Sequence, residues 1–183
     1  RIHAVLARIF GSADGYRFAE LNGIGINRPS DWHKDILSSK YRKYQKTPLW
    51  GASGDSEYLV VKVCIYLQDH TDGLGLVVQP GTHTSGAIRK LGNSTHSGGE
   101  RLRHALGSIV VFDQRITHRG PPFGFQPPVS GEHRMMISLS YGRPNLHTAE
   151  FERGTAARQG DQTAQFTTDD GSGKPCKSTQ YPS

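Results

Sequence analysis

The stretch EYLVVKVCIYLQD, residues 57–69, decides the fold class. It is rich in β-branched and aromatic residues and too apolar for an edge loop, so it predicts a central β-strand. The turn HTDGLG comes next, and a second short apolar run occupies residues 74–79. Two apolar runs on either side of a glycine-containing turn predict an antiparallel hairpin.

Two more strands are predicted downstream of this hairpin. GSIVVFDQRITH (107–118) follows a glycine turn, and EHRMMISLSYG (132–142) shows the alternation of a strand. Residues 86–104 predict a polar loop, residues 149–162 a helix, and residues 169–183 a loose tail. Short antiparallel strands separated by glycine turns favour an all-β sandwich or small barrel with minor helices. No helices intervene between the strands, which disfavours a doubly wound α/β fold.

The composition predicts one domain over residues 1–183. Only 34% of the residues are hydrophobic, while glycine (22) and proline (10) are frequent, as in a loop-rich β protein. No run approaches the roughly 20 apolar residues that span a bilayer. With two cysteines and no recognisable secretory signal, a reducing, cytoplasmic location is expected. The chain does not begin with methionine, so a preceding segment, including a targeting segment, is compatible with the sequence.

The formal net charge of +6 raises the question of nucleic-acid binding. The basic residues are scattered, and their densest group is KYRKYQK at residues 40–46. Apart from this short segment, the basic residues form no extended stripe with aromatic residues, so neither nucleic acid nor a membrane is expected as a partner. A small anionic substrate is the milder inference.

Two potential metal ligands stand close together in NRPSDWHKDIL, residues 27–37. In an extended strand, side chains two positions apart leave from the same face. His33 and Asp35 could therefore bind one metal ion while Lys34 points away. A single H-x-D motif is a weak signal, since chance and surface histidines explain most instances.

A third potential ligand, His118, ends the predicted strand 107–118 and precedes a Gly-Pro turn. A buried histidine at this place could also be purely structural. Two histidines and one carboxylate nonetheless make the facial triad of non-haem Fe(II) oxygenases, which leaves positions for a co-substrate and O2. Arg134 opens the next predicted strand. Its planar guanidinium could hold the distal carboxylate of a 2-oxo acid, or form an ordinary surface salt bridge.

Four motifs, WHKD, VCIYLQDHTDGLGLVVQPGTHTSG, GSIVVFDQRITHRG and HRMMISLSYG, occur in this order within residues 25–142. This core resembles the phytanoyl-CoA dioxygenase family of Fe(II)/2-oxoglutarate-dependent oxygenases. The resemblance implies a double-stranded β-helix (jelly roll, cupin-like). It also implies O2-dependent hydroxylation, or another oxidation, of a substrate C–H bond with release of succinate and CO2. The residues implied are His33, Asp35 and His118 for Fe(II), and Arg134 and Tyr66 for 2-oxoglutarate. The family usually has a larger N-terminal region than this chain, so part of it is expected to be missing here.

The substrate is harder to predict. Candidates near the ligand segments are Arg28, Trp32, Trp50 and Arg115, which favour a small, carboxylate-bearing molecule but could equally be surface residues. Two other functions stay open. A redox-silent cupin-like metal-binding protein or isomerase would share the jelly roll but have no use for Arg134. A nucleic-acid demethylase of the AlkB kind would carry a second arginine six positions after the first, where this chain has Ser140.

Overall fold

Two antiparallel β-sheets form the fold in the computed structural model, which describes residues 1–19, 23–26, 29–50, 57–69, 75–88, 99–121 and 135–167. In chain order, the helices and strands are α1 (Ile2–Phe10), β1 (Arg17–Phe18), β2 (Gly23–Ile26), β3 (Val60–Tyr66), β4 (Val77–Gln79), β5 (Glu100–Arg101), β6 (Ile109–Asp113), β7 (Thr117–Arg119), β8 (Met135–Gly142) and α2 (Leu146–Thr167). Short 3-10 helices lie at Ser39–Tyr44 and Thr82–Thr84.

Strand β3 lies inside the larger sheet. It pairs antiparallel with β6 on one side and with β8 on the other, and β1 and β2 share the far edge of β8. Most residues of β3 are buried. A strand that is paired at both edges and covered on both faces needs a nearly continuous apolar run. The prediction of a central strand within residues 57–69 is confirmed.

The predicted hairpin between residues 57–69 and 74–79 is wrong. Strand β4 lies in the smaller sheet, between β5 and β7, and is antiparallel to both. Both edges of β3 are already taken by β6 and β8, so the following strand must find its partners in the other sheet. Strand β5 is a second correction, because it lies within residues 86–104, which were predicted to be a loop.

The segment predicted as one strand, 107–118, is two strands in different sheets. A tight turn separates β6 from β7: the Ile116 N–H donates to the Asp113 carbonyl (2.9 Å), and the Arg115 N–H donates to Asp113 Oδ1 (2.7 Å). An aspartate side chain that binds the backbone two residues on is a common turn device. The turn carries the chain from the larger to the smaller sheet, so His118 lies in the middle of β7.

The two faces of β3 contribute to two different cores. Cys64 and Tyr66 face the smaller sheet and pack with Val78 and Phe112, so this core fills the space between the sheets. Val61 and Val63 face the other way and pack against Leu6 and Phe10 of α1, a helix that the sequence analysis did not predict. The alternation follows from the two-residue period of a strand.

A third core holds α2 against the segment that follows Asp35. Phe151 of α2 packs with Leu37 and Leu49, and Gly154 lies so close to Leu37 that a β-carbon there would overlap the leucine side chain. The predicted helix at 149–162 is confirmed, with wider bounds. The predicted tail at 169–183 lies outside the described residues, and the assignment of the chain to one domain stays a prediction.

Candidate metal centre

The backbone holds His33 and His118 side by side. Each residue donates its N–H to the carbonyl of the other at 2.9 Å, which forms an isolated antiparallel bridge. Two residues further along, the Asp35 N–H donates to the carbonyl of Gln114 at 3.0 Å. The H-x-D segment is therefore extended along β7 and the turn before it, although it is not part of a longer regular strand.

The side chains of His33, Asp35 and His118 converge. One potential ligand atom from each lies within 4.8 Å of the other two. His33 Nε2 is 3.5 Å from Asp35 Oδ1, and His118 Nε2 is 3.3 Å from Asp35 Oδ2. Lys34 points away, as predicted: its Nζ donates to the carbonyls of Thr82 and Arg115. The structure thus brings together the three residues that the sequence analysis selected.

Hydrogen bonds orient both imidazole rings for metal binding. Nδ1 of His33 lies 2.7 Å from the carbonyl oxygen of Asp31, and Nδ1 of His118 lies 3.0 Å from that of Ile116. A carbonyl oxygen only accepts hydrogen bonds, so each Nδ1 carries the hydrogen, and in the neutral ring Nε2 keeps its lone pair. A backbone carbonyl is one of the common partners for the ring nitrogen that does not bind the metal in a metal-bound histidine. Two such nitrogens and a carboxylate oxygen fit a non-haem Fe(II) ion.

Asp35 also binds a residue that the sequence analysis missed. Lys62 Nζ, from the inner face of β3, lies 2.7 Å from Asp35 Oδ2, and both side chains are largely buried. Burial raises the pKa of the Asp35 carboxyl, but the Lys62 charge and contacts with the two histidines outweigh it and hold that pKa well below its usual value. A lysine within the apolar run VVKVCIY was the available signal, because lysine is seldom buried without a partner.

The predicted co-substrate residues are only partly described. Arg134 lies outside the described residues, so its role stays a prediction. Tyr66 is fully buried on the inner face of β3, with its ring centroid 3.6 Å from that of His104. It stands four residues beyond Lys62, or roughly 13 Å along the strand, and its contact with 2-oxoglutarate stays a prediction.

The predicted substrate residues lie in different surroundings. Arg28 lies outside the described residues. Trp32 is buried, with the Arg119 guanidinium 5.2 Å from its ring centroid. Arg115 is also buried. Its guanidinium donates hydrogen bonds to Asp113 and to the Leu49 carbonyl, and these contacts indicate a structural role. The substrate role of these residues remains untested by the structure.

Trp50 is the predicted substrate residue that borders a cavity. The cavity has a volume of about 430 Å³, and its lining includes Ile36 and Leu37, which follow Asp35 in the chain. Trp50 donates its indole N–H to the His83 carbonyl at 3.1 Å. The exposed side chains of Arg42 and Lys46 give this cavity a positive rim.

A buried carboxylate holds one wall of the cavity in place. Glu150 of α2 accepts hydrogen bonds from the Gln45 side chain (2.8 Å) and from the backbone N–H groups of Lys46 (3.2 Å) and Thr47 (3.0 Å). Because Glu150 is only 2% exposed, these bonds are shielded from water. The loop before Trp50 is therefore attached to the longest helix of the structure.

Comparison with solved structures supports the fold. The chain is similar to EvdMO1 (TM-score 0.53, 17% identity, 79% of this chain and 30% of that one) and to AviO1 from Streptomyces viridochromogenes Tue57 (0.52, 17%, 78% and 57%). It is also similar to the non-heme monooxygenase ThoJ in a nickel complex (0.52, 16%, 79% and 50%). The chain thus spans between 30% and 57% of these three structures' lengths.

The predicted fold class, an all-β core with minor helices in a double-stranded β-helix, is confirmed by the two sheets and by these similarities. At such low identity the similarities carry the fold alone. No family model matches the sequence, and no curated protein matches it. Membership of the phytanoyl-CoA dioxygenase family is therefore not confirmed. Among the described residues, no helix combines the length and hydropathy needed to cross a membrane.

Proposed function

We propose that this chain is the catalytic part of a non-haem Fe(II)/2-oxoglutarate-dependent oxygenase. It oxidises a C–H bond of a small anionic molecule, with release of succinate and CO2. The observation that carries the proposal is the convergence of His33, Asp35 and His118, with both imidazoles already oriented by backbone carbonyls. Three protein ligands leave positions open for co-substrate and O2, an arrangement that suits oxygenase chemistry better than a closed structural site. When bound, the iron would activate O2, which is the oxidant, while 2-oxoglutarate would supply two of the four electrons as it becomes succinate and CO2.

The protein positions the ligands of the metal centre and limits the access of water to one side of it. His118 is nearly fully buried, and the Phe112 ring lies 4.8 Å from its own, so water is restricted on that side of the centre. His33 is 38% exposed in its side chain, which places the open side of the centre next to it. A substrate can therefore approach from the His33 side while the inner side remains apolar.

The proposed substrate class rests on the cavity that follows Asp35. Its rim carries Arg42 and Lys46, and its wall carries the indole of Trp50. Cationic side chains around a partly apolar cavity favour an anionic molecule with a flat or aliphatic body. The size of the cavity suits a small molecule rather than a nucleic-acid strand.

Binding of iron and 2-oxoglutarate tests the metal site and the co-substrate together. Fe(II) and then 2-oxoglutarate are titrated anaerobically into the wild type, and the weak visible charge-transfer band of the chelate is recorded. We expect the band in the wild type, its loss in His118→Ala, and its retention in His3→Ala, a matched histidine variant at an exposed site. Arg134→Ala tests the predicted co-substrate residue. If the band of this variant forms at the same 2-oxoglutarate concentration as in the wild type, another cation must bind the distal carboxylate.

Turnover separates the proposed oxygenase from the alternative function. In air, the proposal requires conversion of 2-oxoglutarate to succinate that depends on Fe(II) and is abolished in His118→Ala. A wild type that binds Fe(II) tightly but produces no succinate, with or without candidate anionic substrates, would favour the redox-silent metal-binding protein or isomerase instead.

A further inference from the structure

Lys62 is a charged side chain at the metal centre, and the proposed reaction gives that charge no role. It projects from the inner face of β3, its side chain is 15% exposed, and its Nζ lies 2.7 Å from Asp35 Oδ2. Lysine is rarely buried to this degree unless it is paired. The partner of Lys62 is Asp35, which is also a candidate metal ligand.

The two histidines do not satisfy the Asp35 carboxylate when they are neutral. Each ring carries its hydrogen on Nδ1, where it donates to a backbone carbonyl. Each Nε2 then turns a lone pair, rather than a hydrogen, toward Asp35. A carboxylate that is only 13% exposed needs a compensating charge, and Lys62 is close enough to supply it.

A bound dication would change this balance. It would compensate Asp35 itself, so the lysine would become a second positive charge beside a positive ion. With neutral histidines, the net charge of the metal-loaded centre is the sum of the carboxylate, the ammonium and the dication, which is doubly positive. Without the Lys62 ammonium, the net charge is one unit lower. Such a centre repels the metal ion more, and attracts an anionic ligand more, than the same centre without Lys62.

We propose that Lys62 is a positioning residue with two roles. It acts as the counter-charge of Asp35 when no metal ion is bound, and it supplies the positive charge that favours an anionic co-substrate once the ion is bound. The inference rests on the proposed metal site. It predicts that removal of the ammonium has opposite effects on metal binding and on co-substrate binding, which a purely structural lysine would not produce.

The test compares wild type, Lys62→Met and Lys62→Arg, with Co(II) as the probe metal. Met keeps most of the side-chain volume and removes the charge, whereas Arg keeps the charge. We expect Lys62→Met to bind Co(II) at least fivefold more tightly than the wild type, and its Co(II)-loaded form to bind 2-oxoglutarate at least tenfold more weakly. Lys62→Arg should stay near the wild type in both titrations. The Co(II) visible spectrum reports both binding events without any turnover.

Thermal unfolding provides a second measurement, first on the metal-free proteins and then with Co(II) added. Metal-free Lys62→Met should unfold at a lower temperature than the wild type, because Asp35 is left buried without its counter-charge. Co(II) should then raise its unfolding temperature by more than it raises that of the wild type. If metal-free Lys62→Met does not fold, the double variant Asp35→Asn/Lys62→Met should fold, because the buried carboxylate is removed together with its counter-charge.

The outcomes separate this inference from the proposed function. Failure of the wild type to bind Co(II) would overturn both. Co(II) binding in the wild type, combined with unchanged or weaker Co(II) binding in Lys62→Met, would overturn the counter-charge role alone. Unchanged 2-oxoglutarate affinity in Co(II)-loaded Lys62→Met would overturn the co-substrate role of Lys62 and leave the metal site standing.

Discussion

His33 and His118 are direct backbone partners, although 84 residues of chain lie between them. Their two N–H···O=C bonds, each 2.9 Å long, set the spacing of the imidazoles before any side-chain contact is counted. The ring centroids are 4.3 Å apart as a result. Two candidate metal ligands are thus positioned by main-chain hydrogen bonds, which do not depend on the identity of either side chain.

This relationship predicts that the ligands can be removed without loss of the fold. In His33→Ala, the backbone bridge persists, so the far-UV circular dichroism spectrum should match the wild type while Co(II) affinity falls by at least 100-fold. The exposed variant His3→Ala should leave Co(II) affinity unchanged. A His33→Ala protein that retains wild-type affinity would remove His33 from the metal site.

Glu150 should stabilise the loop that forms one wall of the cavity. Glu150→Ala leaves the N–H groups of Lys46 and Thr47 without their acceptor, and we expect a loss of about 2–4 kcal/mol in the free energy of unfolding. Glu150→Gln keeps one acceptor oxygen, so its free energy of unfolding should fall by less than that of Glu150→Ala. Urea unfolding of the three proteins measures the difference. Equal losses in both variants would show that the charge, and not the acceptor, matters.

The two described glycines of α2 should respond in opposite directions to alanine. Gly154→Ala places a β-carbon against Leu37, two residues after Asp35, and should cost about 1–3 kcal/mol in the free energy of unfolding. Gly160 is exposed and has no atom within 4 Å of the added carbon, so Gly160→Ala should stabilise the protein by up to about 1 kcal/mol. Thermal unfolding of both variants checks the contrast. Stabilisation by both would mean that the helix can move away from Leu37.

Arg115 should behave as a structural residue. Its guanidinium donates to Asp113 and to the Leu49 carbonyl and lies 4.5 Å from the Tyr58 ring centroid. Loss of this buried group in Arg115→Ala should lower the free energy of unfolding by about 3–5 kcal/mol. Arg115→Lys should recover only part of this stability, because lysine lacks the planar guanidinium. A variant of unchanged stability with a raised KM for the substrate would instead restore Arg115 as a substrate residue.

Lys34 should make stability depend on pH in the alkaline range. Burial lowers the pKa of its ammonium to about 8, and the nearby Arg115 charge acts in the same direction. The unfolded chain, with its ordinary lysine pKa, keeps the proton up to higher pH. Stability therefore rises with pH where the unfolded state binds more protons. The free energy of unfolding of the wild type, measured relative to Lys34→Met, should rise between pH 8 and pH 10. A flat or falling difference would contradict this pKa.

The ligand types and the central strand could be read from local sequence. The apolar run around Val63 predicts a buried strand, because its composition reflects burial on both faces. The H-x-D motif and His118 predict ligands because their chemistry is a property of the side chains themselves. The hairpin prediction failed for the corresponding reason: which strand pairs with β3 depends on β6 and β8, which lie far away in the chain.

The sequence by itself therefore determined which side chains are candidate metal ligands and which segment is buried at the centre of the larger sheet. Only the tertiary structure decided that β6 and β7 belong to different sheets, that His33 is bonded to His118, and that Lys62 reaches Asp35. Local patterns record the period and polarity of one segment. Pairing and ion-pair geometry arise from contacts between distant segments, whose free energies no single segment encodes.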